Sequence, residues 1–140
     1  MSTPADRLAA LQAAHIKILR RREQPEQALH RSIAQLLERV LPADAFWFHV
    51  PNGGKRNKIE AGILKALGVR AGVPDILILF RGRLYCLELK APGGKLSVHQ
   101  KTTIARMEAA GAQVAVCRSI DDVVRELGVW RLTPGVRVAA

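Results

Sequence analysis

The stretch from Gly72 to Lys90 constrains the fold of this chain more than any other. Gly72-Val73-Pro74-Asp75 leads into an apolar run, Ile76-Leu77-Ile78-Leu79-Phe80. Arg81-Gly82 follows, and then Arg83-Leu84-Tyr85-Cys86-Leu87-Glu88-Leu89-Lys90. Two short runs rich in aliphatic and aromatic residues, parted by a glycine-containing turn, predict a β-hairpin. With Arg81 and Gly82 as loop residues, Phe80 faces Arg83, and the same register sets Asp75 opposite Glu88. Directly opposed residues share a sheet face, with Cβ atoms about 4.5–5.5 Å apart. Lys90, two residues past Glu88, returns to that face.

Opposed carboxylates repel, and a sheet gains nothing from them unless a cation sits between. Two converging acids suit a hard divalent ion such as magnesium, which takes carboxylate, carbonyl and water ligands. A lysine beside them can neutralise a phosphate or position an attacking water. The plainer alternative makes Glu88 and Lys90 an exposed edge pair and Asp75 the cap of a turn after Pro74. The register weighs against it, because it gathers all three groups on one face.

Charge points the same way. A formal net charge of +10 with a pI near 10.6 calls for a polyanionic partner. At 140 residues and 49% hydrophobic content, the chain is expected to form one globular domain, burying roughly two-thirds of its unfolded surface. Cys86 and Cys117 fall in strand-like runs with no zinc spacing, so small buried hydrophobes in a reducing compartment are expected. No signal peptide is visible and the apolar runs are too short to span a bilayer. A cytoplasmic protein without a membrane partner, bacterial or phage-encoded, is the expectation.

The remaining elements follow in order. Thr3, Pro4 and Asp6 open a predicted helix over 4–22, with Leu8, Leu11, His15, Ile18 and Leu19 as one stripe and Arg20-Arg21-Arg22 at its end. A dimerisation arm, a DNA arm and a packed extra helix are the alternatives, with the packed helix as default. Pro25 restarts helical spacing at Leu29, Ile33, Leu36, Leu37 and Val40, leaving Arg31, Gln35, Glu38 and Arg39 on the outer face. Glu26 lies toward the apolar side. It is either a first-turn acid answering the helix dipole or a third acid aimed at the hairpin, with His30 flanking the same cleft.

Ala45–Val50 predicts a strand in which Phe46, Phe48 and Val50 alternate against Trp47 and His49. Pro51-Asn52-Gly53-Gly54 is a loop, followed at once by Lys55, Arg56 and Lys58, the densest positive stretch. Amides of a glycine-rich turn with adjacent cations hold phosphate, although a solvated basic loop reads the same. A helix over 57–67 turns Ile59, Ile63, Leu64 and Leu67 inward, and Gly68 stops it. After the connector at 91–95, Ser97 and Gln100 form a capping box. Gln100 is either only that, or a side chain reaching back to the acids. Ile104 and Met107 mark the buried side of this helix. A strand over 113–118 and a last helix follow, the latter capped by Ser119, with Ile120, Val123, Val124 and Leu127 inward and Gly128 as stop. Val129–Leu132 is a possible short edge segment, and Pro134–Ala140 a loose tail.

Helix, strand, hairpin, helix, strand in this order, with Pro74-Asp75 and Glu88-Leu89-Lys90, resembles the core of the PD-(D/E)XK nuclease superfamily. The closest resemblance within it is to the VRR-NUC (virus-type replication-repair nuclease) group. It is carried by Glu26, Asn52-Gly53-Gly54 with Arg56, Gly68-Val69-Arg70-Ala71-Gly72-Val73-Pro74-Asp75 and Ser97-x-x-Gln100. It covers Pro25 to Leu127, whereas His30 stands where relatives frequently carry glutamine.

The resemblance implies an α/β, restriction-endonuclease-like fold of αβββαβ type: a central mixed sheet of about four strands flanked by helices, plus the extra N-terminal helix. The implied division is a helical extension over 1–24, a nuclease domain over 25–132 and a tail over 133–140. By the same likeness Asp75 and Glu88, with the Leu89 carbonyl, bind magnesium or manganese. Lys90 orients or activates the attacking water, Gln100 supports the site, and Glu26 completes its acidic rim. DNA is expected against Asn52, Lys55, Arg56, Lys58, Arg70 and Lys95. The implied activity is metal-dependent DNA endonuclease on branched or structured DNA in replication, repair or recombination, by a homodimer without a small-molecule cofactor. The competing expectations are a catalytically inactive nuclease fold that only binds nucleic acid, and a small basic interaction protein.

Overall fold

The computed structural model describes residues 3–22, 25–51 and 57–133, with side chains of the first segment described as far as residue 14. The elements are α1 (Pro4–Arg22), α2 (Pro25–Val40), β1 (Phe46–His49), α3 (Lys58–Ala66), β2 (Ile76–Phe80), β3 (Arg83–Leu89), α4 (Val98–Ala109), β4 (Gln113–Cys117) and α5 (Ile120–Val129). The four strands lie in the order β1-β2-β3-β4. β1, β2 and β3 pair antiparallel, and β4 joins β3 in parallel through the α4 crossover. The class is α/β with a mixed sheet, as expected.

The hairpin forms in the predicted register, Phe80 opposite Arg83 and Ile76 opposite Leu87. Its two loop residues both take positive φ, 48° at Arg81 and 76° at Gly82. Such a turn has the twist of the strands it joins, which is why two residues suffice.

Strand alternation divides the sheet into unlike faces. Trp47, Ile76, Ile78, Tyr85, Leu87, Leu89, Ala115 and Cys117 point to one side, where Ile33 and Leu37 of α2 and Val123 and Leu127 of α5 close the core over them. Trp47 is anchored there by its indole N–H, which donates to Glu38 Oε1 at 2.9 Å. Glu88 and Cys86 point to the other side, over which α4 lies. Toward the β1 edge no described element covers that second face, and Phe46, Phe48 and Leu79 are exposed. The alternation in β1 is thus resolved with Trp47 and His49 on the core side.

Five local expectations are corrected. The packed-helix default for α1 fails among its described side chains: Leu8 and Leu11 are exposed, while His15, Ile18, Leu19 and Arg20–Arg22 lie outside them. The inward stripe of α3 fails too. No residue of that helix is buried, and Ile59 and Leu67 are each 76% exposed, because no other described element covers it. Asn57 caps it, Oδ1 accepting from the Glu60 amide at 2.8 Å. In α5, Val123 and Leu127 are buried but Ile120 and Val124 are largely exposed.

Gly128 does not stop α5. It is buried inside the helix, and α5 ends with Trp130 as cap and Arg131 at φ 58°. The Arg131 amide donates to the Gly128 carbonyl, the Leu132 amide donates to that of Leu127, and Leu132 enters the core. That paired closure satisfies the last carbonyls and replaces the expected edge segment. Residues 134–140 lie outside the described segments.

Both cysteines are free and buried, and burial pushes their thiols up to about 11 for Cys86 and about 12 for Cys117. Thiols held protonated are not nucleophiles. No helix among the described residues is long and apolar enough to cross a membrane.

One glycine matters to the site. Gly72 has φ 78°, and a Cβ there would lie 2.5 Å from the His99 carbonyl oxygen, against the first turn of α4. Thr103 Oγ1 donates to the Ala71 carbonyl at 2.8 Å beside it. Gly72→Ala is expected to lower Tm by roughly 10 °C, since strain and backbone overlap act together. Gly82→Ala has similar φ and open space, so it loses about 1 kcal/mol from strain alone. Melting curves showing equal losses would contradict the close-approach explanation.

Candidate nuclease site

The acids meet at one end of the sheet, where β1 and β3 finish and β2 begins. The start of α2 approaches this end from the core side, and the start of α4 from the other. Between them lies a cleft of about 600 Å³ lined by Glu26, Gln27, His30, Arg31, His49, Asp75, Glu88 and Gln100.

Glu88 is the group most altered by this setting. It is only 1% exposed, and one ladder position beyond the Ile76–Leu87 pair it stands opposite Asp75, as the register required. Its Oε1 accepts from Gln100 Nε2 at 2.9 Å and lies 3.6 Å from Lys90 Nζ. Its Oε2 is buried without a hydrogen-bond partner. Burial pushes the carboxyl up to about 7, the nearby Asp75 charge adds to this, and Lys90 partly offsets it. A buried lone pair with no donor is costly.

Asp75 is held differently. Its Oδ2 accepts from the Leu89 amide at 2.8 Å, which aims the carboxylate at β3. Its carbonyl accepts two donors, the Val50 amide at 2.8 Å and His49 Nδ1 at 2.9 Å. The His30 ring meets the His49 ring nearly at right angles, with centroids 4.2 Å apart. Burial, and then the neighbouring His49, hold His30 below its ordinary pKa.

Gln100 does both things its sequence allowed. Its Oε1 accepts from the Ser97 amide at 2.9 Å, completing the capping box. That fixes which end of the amide faces the sheet, and Nε2 donates to Glu88. The cap aims the site residue.

Of the other expected residues, Glu26 is on the cleft wall. Lys90 reaches the cleft through Glu88, its ammonium largely buried, and Leu89 contributes its amide to Asp75. Lys58, Arg70 and Lys95 are exposed, whereas Asn52, Lys55 and Arg56 lie outside the described residues. Arg31 was assigned to the outer face of α2 and instead lines the cleft. At the start of α2 the opening is wide enough to take two adjacent rows of the helix, Glu26 with His30 and Gln27 with Arg31. His49 was overlooked. Its position beside Asp75 depends on β1–β2 pairing across α3, for which the sequence carries no register signal.

No three His, Cys, Asp or Glu side chains among the described residues form a ready-made metal cage. Asp75 and Glu88 supply two carboxylates, and the orphaned Oε2 fits a divalent ion that draws its remaining ligands from carbonyl and water, as magnesium and manganese do.

Comparison with known proteins bears on the fold and the family. The model of the VRR-NUC domain matches residues 23–121. A solved VRR_NUC domain protein, 22% identical, superposes with a TM-score of 0.64 over 80% of this chain and 93% of its own. No match is found among curated proteins. Since the family model spans well over half of the sequence, this chain belongs to the VRR-NUC family of nuclease domains.

Proposed function

We propose that the protein is a metal-dependent DNA endonuclease that hydrolyses phosphodiester bonds in branched or otherwise structured DNA. The observation that carries this reading is the buried, unpartnered Glu88 Oε2 beside Asp75 in a chain of net charge +10. A protein that only bound DNA would gain nothing from acids that repel both each other and phosphate. The acids would hold magnesium or manganese, with the Leu89 carbonyl as a further ligand. Such an ion supplies an activated water and offsets charge on the phosphate.

The chain's own groups do the rest. Gln100 holds one oxygen of Glu88 and leaves the other open. The Leu89 amide turns Asp75 toward the same point. Lys90, its Nζ 3.6 Å from Glu88 Oε1, orients the attacking water and steadies the phosphoryl oxygens. Glu26 completes the acidic rim, and Arg31 offers a guanidinium to the backbone at the cleft mouth. Lys58, Arg70 and Lys95, with Asn52, Lys55 and Arg56, extend the track for DNA. The nuclease unit runs over residues 25–132, with 1–24 as an extension and 133–140 as a tail.

One cleft cuts one strand. Cutting both strands of a junction therefore calls for a homodimer. The apolar side chains exposed on α3 and its cap (Ile59, Ile63, Leu67) and on the outer sheet face (Phe46, Phe48, Leu79) are available to a second copy, and light scattering tests it.

The deciding assay incubates the purified chain with labelled linear, flap and four-way DNA, in magnesium, in manganese and in chelator. The expected result is metal-dependent cleavage strongest on a branched substrate. Binding without cleavage in any metal would instead identify an inactive nuclease fold.

A further inference from the structure

Beyond the acids themselves, the cleft contains a pair of histidines to which the reaction gives no task. We infer that His49, held by His30, is a positioning residue for the metal centre: it pins the Asp75 backbone and ties the start of α2 to the acidic pair. This rests on the metal reading above.

The argument begins with the carbonyl of Asp75. A carbonyl only accepts, so the 2.9 Å contact requires the proton on His49 Nδ1. The Val50 amide occupies the same oxygen at 2.8 Å. A carbonyl has two lone pairs, and both are engaged, which fixes the peptide that joins Asp75 to Ile76. Asp75 needs this because it lies at a bend just ahead of β2, outside the strand proper. Its carboxylate is meanwhile tied to β3 through the Leu89 amide. The residue is thus anchored by β1 through its main chain and by β3 through its side chain.

His49 is exposed, so packing in the core does not explain its placement. Its ring is instead gripped on two sides, by the Asp75 carbonyl and by the His30 ring 4.2 Å away. His30 is one helical turn from Glu26, on the same side of α2. The contact therefore sets the third acid relative to the first two. A second tie between β1 and α2, from Trp47 to Glu38, is separate from Asp75 and serves as an internal control.

Residues that orient metal ligands change affinity by about 10- to 100-fold when removed. Mn²⁺ binding, measured by calorimetry and by the metal-induced rise in Tm, reads this without DNA cleavage. His49→Ala is expected to weaken Mn²⁺ binding by about 10-fold or more. His49→Asn, whose amide N–H takes the place of Nδ1–H, is expected to return to within about 3-fold of the parent, and His49→Gln is not. His30→Ala should give a smaller loss. The double variant should be no worse than His49→Ala alone, since both act through one contact. Trp47→Phe should bind Mn²⁺ as the parent does.

Parent-like affinity in His49→Ala overturns the inference, as does an Asn variant as weak as the Ala one. A Trp47→Phe loss equal to that of His49→Ala overturns it too, by making the effect general loosening of β1. If the parent itself binds no Mn²⁺ by either method, the metal reading falls and takes this inference with it.

Discussion

A Lys90→Ala variant is expected to lose DNA cleavage by about a thousandfold or more while holding DNA nearly as tightly as the parent. The asymmetry follows from where the ammonium sits. Lys90 Nζ lies 3.6 Å from Glu88 Oε1 and is mostly buried, so it acts on the reacting centre and contributes little to the exposed cationic surface. Binding of a basic protein to DNA sums over many phosphate contacts, and losing one shifts the salt slope by only about 1. Removing Lys90 also removes the charge that partly offsets the upward push on Glu88. Raising the pH should therefore recover part of the Mn²⁺ affinity without recovering the rate. Gel-shift titrations across salt, paired with single-turnover cleavage, separate the two effects. A parallel fall in affinity and rate would make Lys90 a DNA contact and nothing more.

The second large effect concerns Glu88, where function and stability oppose each other. An acid whose folded pKa is raised from 4.5 to about 7 binds its proton more tightly in the folded state than in the unfolded one. Stability therefore falls as pH climbs from 4.5 through about 7, then levels off. The cause is burial first and the Asp75 charge second. Glu88→Gln removes the buried charge and the repulsion. In chelator at pH 8 it should be more stable than the parent, by on the order of 2 kcal/mol. The gap should close toward pH 4.5. The same variant should cleave no DNA and show no metal-induced rise in Tm. In the parent, Mn²⁺ affinity should strengthen by about tenfold per pH unit below neutrality and flatten above it, since the ion competes with the proton. Urea denaturation of both proteins across this pH series checks the sign. A Gln variant less stable than the parent at pH 8 would mean that Glu88 is satisfied by contacts within the protein.

The hairpin and its acids were legible because every determinant is local. A two-residue turn with both φ values positive sets the register, and strand period then brings Asp75, Glu88 and Lys90 to one face. Gln100 was legible as a cap and as a side chain reaching back to the acids, and these are two ends of one amide. Helix periodicity likewise identified Ile33 and Leu37. The same periodicity misled at α3 and at Ile120 and Val124, because an apolar stripe states what a helix would bury and not whether anything arrives to cover it.

What the amino-acid order determined by itself was the hairpin, its register, the helix N-caps and the trio of ionisable groups, since each depends on residues within one turn or one hairpin. What only the tertiary structure decided was the company those groups keep. His49 stands 26 residues from the Asp75 carbonyl it holds. Arg31 and Glu26 reach the cleft only because α2 docks where it does, and the orphaned oxygen of Glu88 exists only in the folded packing that buries it. Contacts across long separations are set by how whole elements pack, and no local pattern encodes that.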